Sequence, residues 1–349
     1  MIYTGFAPLL SEIPRMPGIA LSVVVPTRSR PGSVLRLLRD LEGQTLPASE
    51  FEVLLVDDGS EPPLELSVSP DRYSFSLKLV RRTEDHGAHE SRFAGLREAT
   101  GRRVLFLDDD LALCPELLAE HAHAEGGFAV GPVLYHPESK KTPFQRFQAG
   151  TYAEEVRVLE HKGPQLSTAE WYICNSSAPT GLYLSVFEDV GTAFGNPTMA
   201  ADGFDEMMFL IHLRDHDGPV RFMSKALVLH MDNKTVAQAC RERTIHGKLD
   251  CRLMLEFPSA RREVRAYHVL VSDLASNKAL RDWVFWVAPG FFRLIANLLT
   301  AAADHGPAQW MPASICRFPL TVAYWDGVRS VLPSFKSVCA LIEPSSVKR

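Results

Sequence analysis

Runs of consecutive apolar residues alternate, along the first third of the chain, with stretches whose apolar residues recur at helical spacing. Leu21-Ser22-Val23-Val24-Val25 reads as a β-branched strand stopped by Pro26. Val34, Leu37, Leu38 and Leu41 follow at i, i+3, i+4, i+7 and predict a helix over 34–41, with Ser33 positioned to cap it. Phe51-Glu52-Val53-Leu54-Leu55-Val56 is a second strand and Leu77-Lys78-Leu79-Val80 a third. A helix over 88–100 turns Phe93, Leu96 and Ala99 inward and stops at Gly101. Val104-Leu105-Phe106-Leu107 is a fourth strand, apolar throughout, as expected of a parallel strand covered on both faces. A short helix over 116–123 follows Pro115. Strand, helix and strand in such quick succession open a doubly wound α/β sheet.

The strands end abruptly in polar residues. The first runs into Thr27 and Arg28, the second into Asp57 and Asp58, the fourth into Asp108, Asp109 and Asp110. In an open α/β sheet the carboxyl ends of the parallel strands line the ligand crevice. Three adjacent carboxylates repel one another. A hard cation such as Mg²⁺ or Mn²⁺ offsets that repulsion, and a phosphate-bearing substrate can complete its shell. A solvated acidic turn explains one such end. It does not explain two acidic ends and one hydroxyl-and-arginine end on a single edge. The pattern predicts a nucleotide-and-metal site.

Composition narrows the class. The 349 residues suffice for one large domain or a domain with an extension, and the 46% hydrophobic and 23% charged fractions are those of a globular protein. A net charge of -5 gives no electrostatic case for nucleic acid. The basic stretch Arg261-Arg262-Glu263-Val264-Arg265 is too short to supply one. The six cysteines are scattered with no C-x-x-C pair, which points to a reducing compartment. The first twenty residues lack the charged-then-apolar order of a signal peptide, so a cytoplasmic location is expected.

Taken together, V-V-V-P-T at 23–27, L-E-G-Q-T-L-P at 41–47, F-E-V-L-L-V-D-D-G-S at 51–60 and the block H-G-x-x-x-x-R-x-x-G-x-x-x-x-x-G from His86 to Gly101, leading into F-L-D-D-D, resemble glycosyltransferase family 2. The resemblance is strong over about 20–120 and looser over 165–232. It implies the GT-A fold, a Rossmann-like, doubly wound mixed sheet, here with a mainly helical C-terminal extension. The implied division is a lead-in over 1–18, a glycosyltransferase domain over 19–256 and the extension over 257–349. Within the domain, 19–125 would be the nucleotide-binding half and 126–256 the acceptor half. It implies that Pro26, Thr27 and Arg28 line the base and ribose of a nucleotide-diphosphate sugar, and that Asp58, with Asp57, holds the base. In the D-x-D motif, Asp108 and Asp109 would approach ribose and sugar, and Asp110 would ligate Mn²⁺ or Mg²⁺. Arg92 stands where the family often has an arginine near the diphosphate. His86 departs from the family's usual asparagine.

In the second half, 131–143 and the loop expected to follow it carry His136 and several lysines, and Gly181-Leu182-Tyr183-Leu184 with 186–191 resembles the family's strand-then-helix F-x-x-V-G segment. The acidic pair Asp205-Glu206 lies where the family carries its catalytic base, with Asp202 a third candidate. His230 ends the apolar strand Leu227-Val228-Leu229, where some GT-A enzymes place a metal or diphosphate ligand. The resemblance implies transfer of a sugar, with inversion, to an acceptor hydroxyl of a glycan, a lipid-linked molecule or a small metabolite. A binding protein that has lost catalysis and a nucleotidyltransferase are the rivals. The latter is disfavoured because Thr27 to Pro31 is not glycine-rich.

One stretch raises the question of a membrane. Over 283–303 the chain is largely apolar, but Pro289, Gly290, Arg293 and Asn297 interrupt it. Arg293, Asn297, Thr300 and Asp304 fall on one helical stripe, opposite Phe291, Leu294, Ile295, Leu298 and Leu299. The expected arrangement is an amphipathic helix packed apolar side inward on the protein's own core. The alternative is an interfacial helix over 290–304 giving peripheral contact with a membrane, anchored by Trp283, Trp286, Phe291 and Phe292.

Overall fold

The structure, a computed structural model, describes residues 18–139, 142–166, 172–194, 220–231, 234–256, 288–305 and 312–332. The chain forms two compact units, Met1–His136 with Tyr152–Met231, and Pro137–Thr151 with Asp232–Arg349.

Among the described residues the first unit has eleven strands: β1 (Leu21–Thr27), β2 (Phe51–Asp58), β3 (Ser76–Arg82), β4 (Arg103–Phe106), β5 (Leu111–Leu113), β6 (Ala129–Val130), β7 (Val133–Tyr135), β8 (Gln165–Leu166), β9 (Ser176–Pro179), β10 (Val220–Phe222) and β11 (Val228–His230). Eight of them make one sheet in the order β3-β2-β1-β4-β9-β6-β10-β8, and β5-β11-β7 make a small second sheet. The first four strands of the large sheet run parallel, and β9 enters antiparallel between β4 and β6. This is the mixed α/β sheet that the GT-A fold leads one to expect.

The uninterrupted apolar runs have the expected cause. Every residue of β1, β2 and β4 is buried, because helices cover the sheet. Of these helices, α1 (Pro31–Glu42) buries Val34, Leu37, Leu38 and Leu41. It starts at Pro31, not at Ser33, and no side chain caps it. Proline at the first helical position has no amide left unsatisfied, so a cap is not needed to start the turn. Next, α2 (Ala88–Glu98) lies so close to the sheet that a Cβ on Gly95 would meet Val24 Cγ1 at 2.5 Å. A short helix, α3 (Leu117–Ala122), follows the acidic strand end.

Two expectations fail. Gly181–Leu184 is not a strand but the start of α5 (Thr180–Phe194). Tyr183, Leu184, Val186 and Phe187 are buried on it, a helical and not an alternating period. The stretch after Pro143 is not loop but a helix, α4 (Pro143–Lys162), whose few apolar anchors hide its period in sequence. From Tyr152 onward α4 belongs to the first unit.

The second unit holds α6 (Val236–Glu256), α7 (Pro289–His305) and α8 (Arg317–Val331). A Cβ on Gly247 would lie 2.2 Å from Tyr324 O, and one on Gly327 would lie 2.0 Å from Thr244 O. Two glycines, one on each helix, therefore let α6 and α8 pack backbone against backbone. The helix α7 does not pack its whole apolar side inward: Phe291, Leu294 and Leu298 are exposed, while Arg293 and Asp304 bond to α8 and α6. The inward packing expected from the sequence thus fails for Phe291, Leu294 and Leu298, while Phe292, Ile295 and Leu299 are half-buried. Among the described residues no helix is long and apolar enough to cross a membrane.

Candidate active site

Strand register brings the polar ends together. Thr27 lies opposite Asp57, and Asp57 and Asp58 lie opposite Arg81 and Arg82. The β4 end follows beside β1, where Leu107 N donates to Val24 O at 3.1 Å. On the small sheet, β11 runs antiparallel to β5 with His230 opposite Leu111. Met231 N then donates to Asp110 O at 2.8 Å, so the pairing carries His230 to the acidic triplet from far along the chain.

The three carboxylates have different surroundings. Asp108 Oδ1 accepts from Arg92 Nη2 at 2.7 Å. Burial works to raise its pKa, and the buried Arg92 guanidinium beside it outweighs burial and holds it below the usual carboxylate value. Asp109 is buried and accepts from Thr27 Oγ1 at 2.6 Å and from Arg30 Nη1 at 3.1 Å. Burial, with Asp110 alongside, raises its pKa in spite of those donors. Asp110 Oδ2 accepts from the same Arg30 Nη1 at 3.1 Å, and Asp110 Oδ1 lies 3.5 Å from His230 Nε2.

Asp57 and Asp58 are engaged by the protein itself. Asp57 accepts from Ser60 N and Leu64 N, each at 3.0 Å, and from Arg81. Burial pushes its pKa up, but these donors bring it below the usual range. Asp58 accepts from His86 N at 3.1 Å and Gly87 N at 2.8 Å, so it holds the turn before α2. Both carboxylates clamp the loops that frame the crevice. Pro26 lies within buried β1, and Arg28 is half-exposed and pairs with Asp85.

Beside the triplet is a cavity of about 220 Å³ lined by Asp108, Val133, Tyr152, Glu155, Tyr172, Cys174 and His230 among others. The residue after Cys174 anchors a buried network. Asn175, fully buried at φ 59°, donates from Nδ2 to Ala226 O at 2.8 Å and to Pro132 O at 3.2 Å. Its Oδ1 lies 2.9 Å from His121 Nε2, while His121 Nδ1 lies 2.9 Å from Ser177 Oγ. A neutral imidazole donating from Nε2 and accepting at Nδ1 satisfies both contacts, and burial lowers the His121 pKa to about 3. Burial, then the charge of Asp108, raises the Cys174 thiol well above its ordinary value, so it stays protonated.

Residues 22–188 match the family model described as glycosyl transferase family 2. This segment is a family 2 glycosyltransferase domain. Over 96 residues the chain is 43% identical to an uncharacterized glycosyltransferase of Haemophilus influenzae, a match covering 28% of this chain and 31% of that one. Over 102 residues it is 35% identical to poly(ribitol-phosphate) beta-N-acetylglucosaminyltransferase TarS of Staphylococcus aureus, covering 29% of this chain and 18% of that one. These matches span a third or less of the relatives' own lengths. Among solved structures, the mannosyltransferase PcManGT from Pyrobaculum calidifontis in complex with GDP-Man and Mn²⁺ matches with a TM-score of 0.53 at 18% identity. That match covers 93% of this chain and 90% of that one and shows the fold alone.

Within the glycosyltransferase domain, the donor set bears on the implied cation. Asp110 Oδ1 is buried without a hydrogen-bond partner, and the His230 imidazole faces it. One carboxylate and one imidazole are two ligands suited to Mn²⁺ or Mg²⁺. Among the described residues no three such side chains cluster, so the remaining ligands would be water or substrate oxygens. Asp202, Asp205 and Glu206 lie outside the described residues. The sequence reading missed Arg30, which joins Asp109 to Asp110, and Tyr152 and Glu155 of the cavity, whereas Tyr172 and Cys174 fall in the stretch 171–177 that it had placed beneath the sugar. Arg30 carried a signal, a second arginine after the first strand end. Tyr152 and Glu155 carried none, since α4 was not foreseen.

Proposed function

We propose that the chain is a metal-dependent, inverting glycosyltransferase that moves a sugar from a nucleotide-diphosphate sugar to an acceptor hydroxyl. The observation that carries this is the meeting of Asp108, Asp109, Asp110, Arg30, Arg92 and His230 at one sheet edge beside the cavity. TarS is by its name an N-acetylglucosaminyltransferase, and the PcManGT complex holds GDP-Man and Mn²⁺. Both support a nucleotide-sugar donor.

Pro26, Thr27 and Arg28 would border the nucleoside, with Asp57 and Asp58 fixing the loops around it. Arg92 holds Asp108 as an anion, and Thr27 and Arg30 hold Asp109, and these two carboxylates would approach the ribose and the sugar. Asp110 and His230 would hold Mn²⁺ or Mg²⁺, which supplies positive charge to the diphosphate leaving group. Arg30 stands close enough to add to that charge. The acceptor proton goes to a carboxylate of the Asp205-Glu206 pair as the hydroxyl attacks the anomeric carbon. A single displacement inverts that centre. Glycan, lipid-linked and small-molecule acceptors all fit a hydroxyl nucleophile, and a cytoplasmic location fits a soluble nucleotide-sugar donor.

The test is a thermal-shift panel of UDP, GDP and their sugar conjugates with and without Mn²⁺. At least one nucleotide is expected to raise Tm, more so with Mn²⁺, by mass action on the folded state. Absence of stabilisation by every member overturns the proposal. The double variant D205N/E206Q is expected to keep the nucleotide shift and lose transfer. Transfer at the original rate would remove that pair from the mechanism.

A further inference from the structure

The helix α7 shows part of its apolar side to solvent, for Phe292, Ile295 and Leu299 are half-buried, Phe292 against Phe318 of α8, while Phe291, Leu294 and Leu298 are exposed. A surface helix ordinarily buries its apolar stripe and shows its polar one to water. Here Arg293 Nε donates to Asp326 Oδ2 of α8 at 2.6 Å. Asp304 accepts from Val236 N at 2.7 Å and Ala237 N at 3.1 Å, capping the start of α6. Thr300 bonds to Cys240, and only the small Ala296 and Ala303 of α7 are fully buried. The outward side carries Phe291, Leu294 and Leu298 at 60%, 59% and 64% exposure, spaced i, i+3, i+7. Three of the seven large hydrophobic side chains exposed among the described residues thus share one stripe.

Charge says what such a face suits. The first unit holds 18 Lys and Arg against 31 Asp and Glu, a net of -13, and the second holds 19 against 11, a net of +8. The chain's modest -5 hides a cationic unit, and that unit bears the apolar stripe. We propose that the outward face of α7 docks on an anionic lipid surface, Phe291, Leu294 and Leu298 entering the acyl boundary and the cationic unit supplying the attraction. A second copy of the chain is the poorer occupant, because it would bring +8 against +8. The helix lies in the interface and does not cross it, since no described helix is long and apolar enough to span.

The test is co-sedimentation of the full chain with phosphatidylcholine vesicles, either neutral or containing about one third phosphatidylglycerol. Binding to the anionic vesicles, falling as salt rises, is expected, with little binding to the neutral ones. The double variant L294Q/L298Q is expected to partition about a hundredfold more weakly, about tenfold per leucine, with an unchanged melting temperature because both side chains are exposed. Three results overturn the proposal. One is failure of the wild type to bind anionic vesicles. Another is equal binding by the variant. The third is a wild-type dimer, seen by sedimentation, that the variant dissociates, which gives the face to a second copy.

Discussion

Asp110 sits at the centre of the proposed chemistry, and removing its charge tests it without removing volume. D110N is expected to lower transfer at least a hundredfold and to abolish the extra stabilisation that Mn²⁺ gives a bound nucleotide. Equal Mn²⁺ dependence in the variant would move the metal elsewhere. Arg92 is the counterpart that keeps Asp108 ionised. R92L leaves that carboxylate beside the cavity without its cation, and is expected to cost about 2–3 kcal/mol in urea denaturation, less than a fully buried pair because Asp108 is partly exposed. His121 gives a pH signature. Its folded pKa is depressed from 6.5 to about 3, so between those values the unfolded chain binds the extra proton. Its contribution is present above pH 6.5 and drains away as pH falls towards 3, by about 1.4 kcal/mol per pH unit. Buried His89, stacked on Phe187 and also lowered to about 3 by burial and by Arg92, adds in the same direction. Urea titrations of wild type and H121Q between pH 7 and 5 should show a shallower slope for the variant. Parallel slopes would refute the assignment.

Elements differed in how much of themselves they show in sequence. β1, β2 and β4 announced themselves because strands covered on both faces are apolar end to end, and their polar ends marked the crevice edge. Thr27, Asp108, Asp109, Asp110 and His230 were named as residues at strand ends and Arg92 from the family resemblance, and the structure brings these side chains close together. Arg30 was passed over because a turn arginine reads as solvent-facing until its partners are known. The helix α5 misled because Leu182-Tyr183-Leu184 is as apolar as a strand, and only burial at 183, 184, 186 and 187 shows the helical period. The stripe of α7 was legible but its burial was not, since a pattern gives two faces and not how far each packs inward. At the α6–α8 crossing, G327A puts a methyl group where Thr244 O already lies 2.0 Å away, and no rotamer can yield. The expected loss is about 2–3 kcal/mol, read by thermal and chemical denaturation. A variant as stable as wild type would mean that the two helices separate without penalty.

At the scale of the whole molecule, overall charge is a poor guide to behaviour. A chain of net -5 should flow through a cation-exchange column at neutral pH. One with a unit of +8 should be held at low ionic strength and released by salt. Retention is the expected outcome, and passage without delay would show that the cationic side chains do not form an accessible surface.

The buried network around Asn175 carries a consequence for the sequences of related enzymes. A Cβ on Gly131 would lie 2.1 Å from Ala226 O and 2.6 Å from Asn175 Nδ2, while Asn175 stands in a left-handed conformation that asparagine tolerates better than most residues. Neither position can drift alone. A larger residue at 131 expels the amide at 175, and a residue other than asparagine at 175 leaves the Ala226 and Pro132 carbonyls unbonded. Across a deep alignment of chains sharing this network, glycine at 131 and asparagine at 175 should be inherited as a pair. A deep mutational scan of the two positions should recover only double replacements, and rarely.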